Sequence, residues 1–248
     1  MAQNTFVIVT AYNEADRIGA TLDALAPAFP GAQVLLADDG STDATAQIAA
    51  ARGAQVVRGA RMLGKGQAAT LAATQALVEA AADPRRAGND AAKQDAIFVL
   101  CDGDLGDSAG ELAVLAQVVA RGEAELAVAA FARRRGGGVG LALGFARWAI
   151  RRRCGLQTTA PISGQRALSA AALADVLPFA HGFGMEIGMT IDAVRAGHRL
   201  IEIELDLAHR ASGRTPAGFA HRARQLVDFA RVYLARGRLL RGRTARRQ

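Results

Sequence analysis

Lysine is almost missing from this chain. Of its 30 basic residues only Lys65 and Lys93 are lysines, and the rest are arginine. Cysteine is as scarce. Cys101 and Cys154 are the only two, too few for a disulfide framework and without the CxxC spacing of a zinc site. Cys101 lies in an apolar run and is expected to pack there, whereas Cys154 follows an arginine run and is expected at the surface. Aromatic residues make up 5% of the chain, thin for a nucleic-acid binder, and no recognised nucleic-acid motif occurs, so no nucleic-acid partner is expected. No run of 18 apolar residues is present, which excludes an ordinary spanning helix. The opening residues, MAQNTFVIVTAYNE, show neither the basic start nor the cleavage site of a signal peptide, and a cytoplasmic protein is the expectation.

What is present suits one sizeable folded domain. The chain has 248 residues, 51% of them apolar and 21% charged, enough apolar surface for a large core and too little charge for disorder. Its net charge of +7 favours anionic partners, either acidic substrates or a membrane surface.

The first half alternates strand-like and helix-like segments. TFVIVTA (5–11), AQVLLAD (32–38), AQVVRG (54–59), residues 96–101 and residues 125–131 read as strands. Between them, Ile18, Leu22 and Leu25 at helical spacing, then 44–52, 67–82 and 109–121, read as helices. DPRRAGNDAAKQ (83–94) has the polar, breaker-rich composition of a surface loop. Such a βαβα series predicts an α/β fold, a mostly parallel central sheet with helices on both faces. The second half is read as a glycine-rich loop (136–140), an amphipathic helix near 141–153, and a loop entering a helix at 160–169. A glycine-punctuated helix follows at 181–197, then a strand carrying Leu200, Ile201, Ile203, Leu205 and Leu207. A final arginine-rich helix spans 217–240 and suits packing on the domain or an interfacial position on a membrane.

In sheets of this kind ligands bind beyond the carboxyl ends of the strands. Three polar clusters fall at that edge: Ala11, Tyr12 and Glu14 after the first strand, Asp38 to Asp43 after the second, and Asp102-Gly103-Asp104 after the fourth. At a strand end, residues i and i+2 share a face, and the intervening glycine admits a ligand closely. Two carboxylates so placed make a hard-oxygen site for Mg²⁺ or Mn²⁺, with substrate phosphates as further ligands. An Asp-Gly turn and a helix cap is the plainer reading of the same residues. Lys65, in GKG, offers a compact ammonium to a diphosphate or is an ordinary loop lysine. Glu186 opens a helix as a base, a contact to a ligand, or a complement to the helix dipole.

The ordered set VTAYNE, LADDGSTD, GKG and CDGDL resembles the family 2 glycosyltransferases of GT-A fold. ISGQRAL, GFGMEIGM and AHRASGR are similar to second-half signatures of that family and of the glucosyl-3-phosphoglycerate synthases. The resemblance runs to about residue 225, with 1–216 as the transferase domain and 217–248 as a basic helix and tail. It implies that Ala11, Tyr12, Glu14, Asp38, Asp39, Lys65, Asp102 and Gly103 bind the nucleotide. It implies that Asp104 and His209 ligate the metal, and that Asp104 and Glu186 are catalytic. Ser163, Gly164, Gln165, Arg166 and Arg210 would face the donor sugar and acceptor. One departure stands out: the usual proline before AYNE is Thr10 here.

The expected activity is therefore metal-dependent transfer of a sugar from a nucleoside-diphosphate sugar, UDP-sugars foremost. The acceptor is a small phosphorylated molecule or a polyprenyl phosphate. Mg²⁺ or Mn²⁺ is the implied cofactor, and the loop 133–140 is expected to close over the donor. A contact with the inner membrane face and a homodimer are both compatible with the composition. The alternatives are a sugar-phosphate nucleotidyltransferase, which requires a glycine-rich loop after the first strand that TAYNEADR is not, and a non-catalytic nucleotide-sugar-binding protein.

Overall fold

The computed structural model describes residues 4–59, 62–82, 96–131, 141–207 and 225–237. Seven strands form one sheet: β1 (Thr5–Ala11), β2 (Gln33–Asp38), β3 (Gln55–Arg58), β4 (Ile97–Asp102), β5 (Leu126–Phe131), β6 (Arg166–Ser169) and β7 (Leu200–Leu205). Their order is β3-β2-β1-β4-β6-β5-β7. Every pairing is parallel except the two made by β6, which runs antiparallel between β4 and β5. The mostly parallel sheet matches the expectation. The strand β6 does not, because 160–169 reads as a loop in the sequence.

Period-two alternation sorts the core. Val7, Val9 and Ala11 of β1 point to one face, with Leu36 of β2 and Val99 and Cys101 of β4. Phe6 and Ile8 point to the other, with Leu35, Phe98 and Leu100. The first face is covered by α1 (Ile18–Ala28), α2 (Thr45–Ala51), a 3₁₀ segment (Gly106–Leu112) and α4 (Ala113–Ala120). The second is covered by α3 (Lys65–Ala82), α6 (Ala170–Val176) and α7 (Met185–Ala196). α3 reaches the sheet through Ala68, Ala69, Ala72, Ala73, Ala76 and Ala80, all buried. Alanine there lets the helix lie close to the strands.

A third apolar cluster lies outside this sandwich. Ala146 and Ile150 of α5 (Leu141–Cys154) meet Ile187 and Ile191 of α7 and Phe229 and Val232 of helix 225–237. The last helix therefore packs on the domain, as one of the two sequence readings had it. Arg236 forks onto Asp192 of α7, and Arg153 lies 3.6 Å from the centre of the Tyr233 ring. No helix among the described residues is long and apolar enough to cross a membrane. Cys101 is buried, and Cys154 is half-buried rather than at the surface. The sequence segments 83–94, 133–140 and 208–224 lie largely or wholly outside the described residues.

Candidate active site

The carboxyl ends of β1, β2 and β4 carry the three polar clusters, and hydrogen bonds lace them together. Asn13 takes the left-handed conformation, with φ 55°, which asparagine tolerates better than most residues. Its amide donates to Ser41 Oγ at 2.9 Å, and its side-chain oxygen accepts from the Thr42 amide at 2.8 Å. The Glu14 amide donates to Thr45 Oγ1 at 2.8 Å and the Ala15 amide to Asp43 Oδ2 at 3.1 Å. The loop after β1 thus sits on the loop after β2, and Tyr12 stands 45% exposed at the rim. Ala11 is buried at the strand end.

Asp38 and Asp39 divide their work. Asp38 is 1% exposed; one oxygen accepts from the Ser41 amide at 3.0 Å and the other pairs with Arg58. It shapes the loop from inside. Asp39 Oδ1 accepts from the amides of Leu63 and Gly64 at 2.8 and 2.7 Å. It fixes the entry to α3, and Lys65 is the first residue of that helix rather than a loop lysine. Gly66 follows because a Cβ there would lie 2.1 Å from the Ala180 carbonyl oxygen.

Lys65 then reaches two carboxylates. Its ammonium lies 2.8 Å from Asp102 Oδ1 and 3.0 Å from Glu186 Oε1. Asp102 Oδ1 also accepts from Thr10 Oγ1 at 3.1 Å, and Asp102 Oδ2 accepts from Gln165 Nε2 at 2.8 Å. The Thr10 hydroxyl is a donor that a proline at this position would lack. Burial alone would raise the Asp102 carboxyl, but the Lys65 charge and these hydrogen bonds outweigh it and hold it below the usual aspartate value. Burial likewise acts to lower Lys65, and the charges of Asp102 and Glu186 overcome it and hold the ammonium well above the ordinary lysine value. Cys101, one residue before Asp102, has its thiol pushed up by burial and by the charges of Asp102 and Asp104, so it is an inert packing residue.

Gly103 and Gly164 allow close approach. The Gly103 amide donates to the Thr10 carbonyl at 2.9 Å and its carbonyl accepts from Thr21 Oγ1 at 2.8 Å. A Cβ at Gly164 would lie 2.9 Å from Lys65 Nζ and 3.0 Å from Asp102 Oδ2. Ser163 and Gln165 lie beneath the surface, 4% and 1% exposed. Arg166, expected to face the sugar and acceptor, is corrected by its environment: it is fully buried in β6, and its Nε and Nη1 bond to the Ser163 carbonyl at 2.8 Å and Thr190 Oγ1 at 2.9 Å. Asp104 follows Gly103 at the half-buried rim, and its carbonyl accepts from Arg17 Nη1 at 3.4 Å. His209 and Arg210 lie outside the described residues.

The described side chains alone do not make a complete metal site. No cluster of three or more histidine, cysteine, aspartate or glutamate side chains among the described residues is arranged to hold an ion, and Asp102 spends both oxygens on Lys65, Thr10 and Gln165. A carboxylate such as Asp104 fits a hard ion that takes its other ligands from phosphate and water. The roles of Thr10, Thr21, Ser41, Thr45 and Thr190 were not legible in the sequence, since a serine or threonine gives no sign there of which loop it will bridge.

The fold and this crevice define a glycosyltransferase. The model of glycosyl transferase family 2 matches residues 6–162, more than half of the chain, and the chain belongs to that family. Among solved structures, it is similar to glucosyl-3-phosphoglycerate synthase from Mycobacterium tuberculosis in complex with phosphoglyceric acid. That likeness has 26% identity and a TM-score of 0.68, over 94% of this chain and 80% of that one. The same synthase with Mn²⁺, UDP and glucosyl-3-phosphoglycerate matches at 26% and 0.68, over 94% and 80%. With Mn²⁺, UDP-glucose and glycerol 3-phosphate it matches at 25% and 0.67, over 94% and 80%. Among curated proteins none matches the chain.

Proposed function

We propose that this chain transfers a sugar from a UDP-sugar to a small phosphorylated acceptor of the phosphoglycerate kind. The reading is supported by its family, by the neighbouring synthase whose structures hold UDP-glucose and phosphoglycerate or glycerol 3-phosphate, and by the crevice described above. The observation that carries it is the convergence of Lys65, Asp102 and Glu186 from three separate elements at the carboxyl edge of the sheet.

In this reading Tyr12 and Glu14 flank the base and ribose, and Asp39 holds residues 63–64 as the other wall of the nucleotide site. Lys65, its side chain 31% exposed, presents fixed positive charge to the diphosphate at the protein surface, where such charge counts for more than in bulk solvent. Glu186 orients the acceptor hydroxyl, and Gly164 leaves room for the sugar above the Lys65–Asp102 pair. At the anomeric carbon a phosphate oxygen is exchanged for an acceptor oxygen, and one proton is released. Asp104, with His209, is assigned to hold Mn²⁺ or Mg²⁺, which when bound neutralises charge on the departing diphosphate. Residues 1–216 constitute the transferase domain and 217–248 an appended basic element.

The test is transfer from radiolabelled UDP-glucose to 3-phosphoglycerate in the presence of Mn²⁺. A phosphatase-sensitive glucosylated product is expected. Transfer to a polyprenyl phosphate, with none to phosphoglycerate or glycerol 3-phosphate, would replace the acceptor assignment.

A further inference from the structure

Arginine is out of pattern at position 166. β6 lies between β4 and β5, with Arg166 in register with Leu100 on one side and Val128 on the other. Its side chain shares a face with Leu168, the face packed by α7. Alternation calls for an apolar residue there. Instead Arg166 is the bulkiest fully buried side chain among the described residues. A buried guanidinium is costly unless charge and hydrogen bonds compensate it. Two of its three nitrogens have partners, and Nη2 has none among the described residues. Burial pulls it down to about 10, against the attraction of Glu186 and Glu202.

The compensation is found in the active site above it. Arg166 donates to Thr190 Oγ1, and that hydroxyl donates to the Glu186 carbonyl at 3.0 Å. The Glu186 carboxylate meets Lys65, and Lys65 meets Asp102. Asp102 accepts from Gln165, whose Oε1 accepts from Ser163 Oγ at 3.2 Å. The Ser163 carbonyl accepts from Arg166 and returns the path to its start. These residues form a closed ring drawn from α3, β4, the loop into β6, β6 itself and α7. Its ionised members are two cations, Lys65 and Arg166, and two anions, Asp102 and Glu186. Glu202 of β7, the second anion near Arg166, is already occupied by Thr158, Thr159 and the Ala160 amide.

We infer that Arg166 is a positioning residue: it closes this ring from below and supplies the buried positive charge that balances Glu186, so that Glu186 and Lys65 stand in one fixed arrangement at the crevice. It touches no substrate. The inference rests on Lys65 and Glu186 belonging to the active site, but its charge-balancing part is tested without any assumption about sugar, metal or acceptor.

The experiment is a melting cycle over four proteins: the unsubstituted chain, Arg166→Met, Glu186→Gln and the double variant. Loss of the cation leaves Glu186 unbalanced only while Glu186 is charged. Arg166→Met is expected to lower the melting temperature by about 5 °C or more in the unsubstituted chain, and by less than half as much in the Glu186→Gln background. If Arg166→Met alone fails to fold, recovery of a folded double variant supports the inference. Equal losses in both backgrounds, or failure of both variants to fold, overturn it. Activity supplies the second readout. Arg166→Met is expected to lower transfer by about a hundredfold through misplacement of the reacting groups, with partial rescue by Arg166→Lys, which restores charge without the fork. A methionine variant within about threefold of the unsubstituted rate, or a lysine variant no better than methionine, removes the positioning role.

Discussion

Lys65 Nζ lies 2.8 Å from Asp102 Oδ1, although 37 residues separate them in the chain. The contact joins the N-terminus of α3 to the carboxyl end of β4, and it decides how the two aspartates of the Asp-Gly-Asp sequence differ. Asp102 is neutralised inside the protein and serves as a fixed post. Asp104 lies at the half-buried rim.

Removing the lysine strands two carboxylates with low exposure. Lys65→Met is expected to cost about 3 kcal/mol of stability, near the lower end for breaking a buried pair because the lysine stem is partly solvated. It is also expected to abolish most of the transfer activity. Urea denaturation with the linear extrapolation reads the first and a transfer assay the second.

The pair also sets a pH window. Asp102 has its acid strength increased on folding, so its contribution is complete above the ordinary value of 3.8 and is lost as pH falls through its lowered folded value. Lys65 is shifted upward, so its contribution is complete below the ordinary 10.5 and is lost as pH rises through the folded value. The stability lost in Asp102→Asn should therefore be constant from about pH 5 to pH 9 and shrink toward the acid end. Melting curves of both proteins across that range check it; a difference that peaks at acid pH contradicts the pairing.

Gly164 tests close approach without removing a charged group. Gly164→Ala places a methyl against the Lys65–Asp102 pair, at 2.9 and 3.0 Å from their polar atoms. Transfer is expected to fall by about tenfold or more, since the ion pair or the sugar must shift, while stability changes by about 1–2 kcal/mol. Full activity in a folded Gly164→Ala protein would show that nothing passes close above this pair.

Thr10 gives a finer probe. Thr10→Val keeps the shape and deletes the donor to Asp102 Oδ1. A loss of about 1 kcal/mol is expected from one hydrogen bond to a charged acceptor that retains its other partners. Denaturant titration measures it, and an unchanged midpoint would mean the hydroxyl carries no weight there.

Much of the architecture was legible because the first half obeys simple periods. The strand in TFVIVTA, the turn in DDGSTD and the Asp-Gly-Asp after a buried strand all fall where the sequence puts them, each within a residue or two. β6 was not legible. It is four residues long, begins with a charge at a core position and starts two residues after a glycine, so the local cues read as loop. The separate fates of Asp38 and Asp39 were equally hidden, because adjacent aspartates differ only in which way the strand end turns them. Arg166 shows the same limit at the site: its sequence neighbours Ser163 and Gln165 belong to the crevice floor, and only its register between Leu100 and Val128 puts the guanidinium on the core face.

The most direct measurement is calorimetric titration of UDP, with and without Mn²⁺, into the unsubstituted chain and into Asp104→Asn. The account predicts that Mn²⁺ tightens UDP binding by at least about tenfold in the unsubstituted chain and by little in the variant, a difference of roughly 1.4 kcal/mol or more. Equal enhancement by Mn²⁺ in both proteins would contradict the placement of a metal-bridged diphosphate at Asp104.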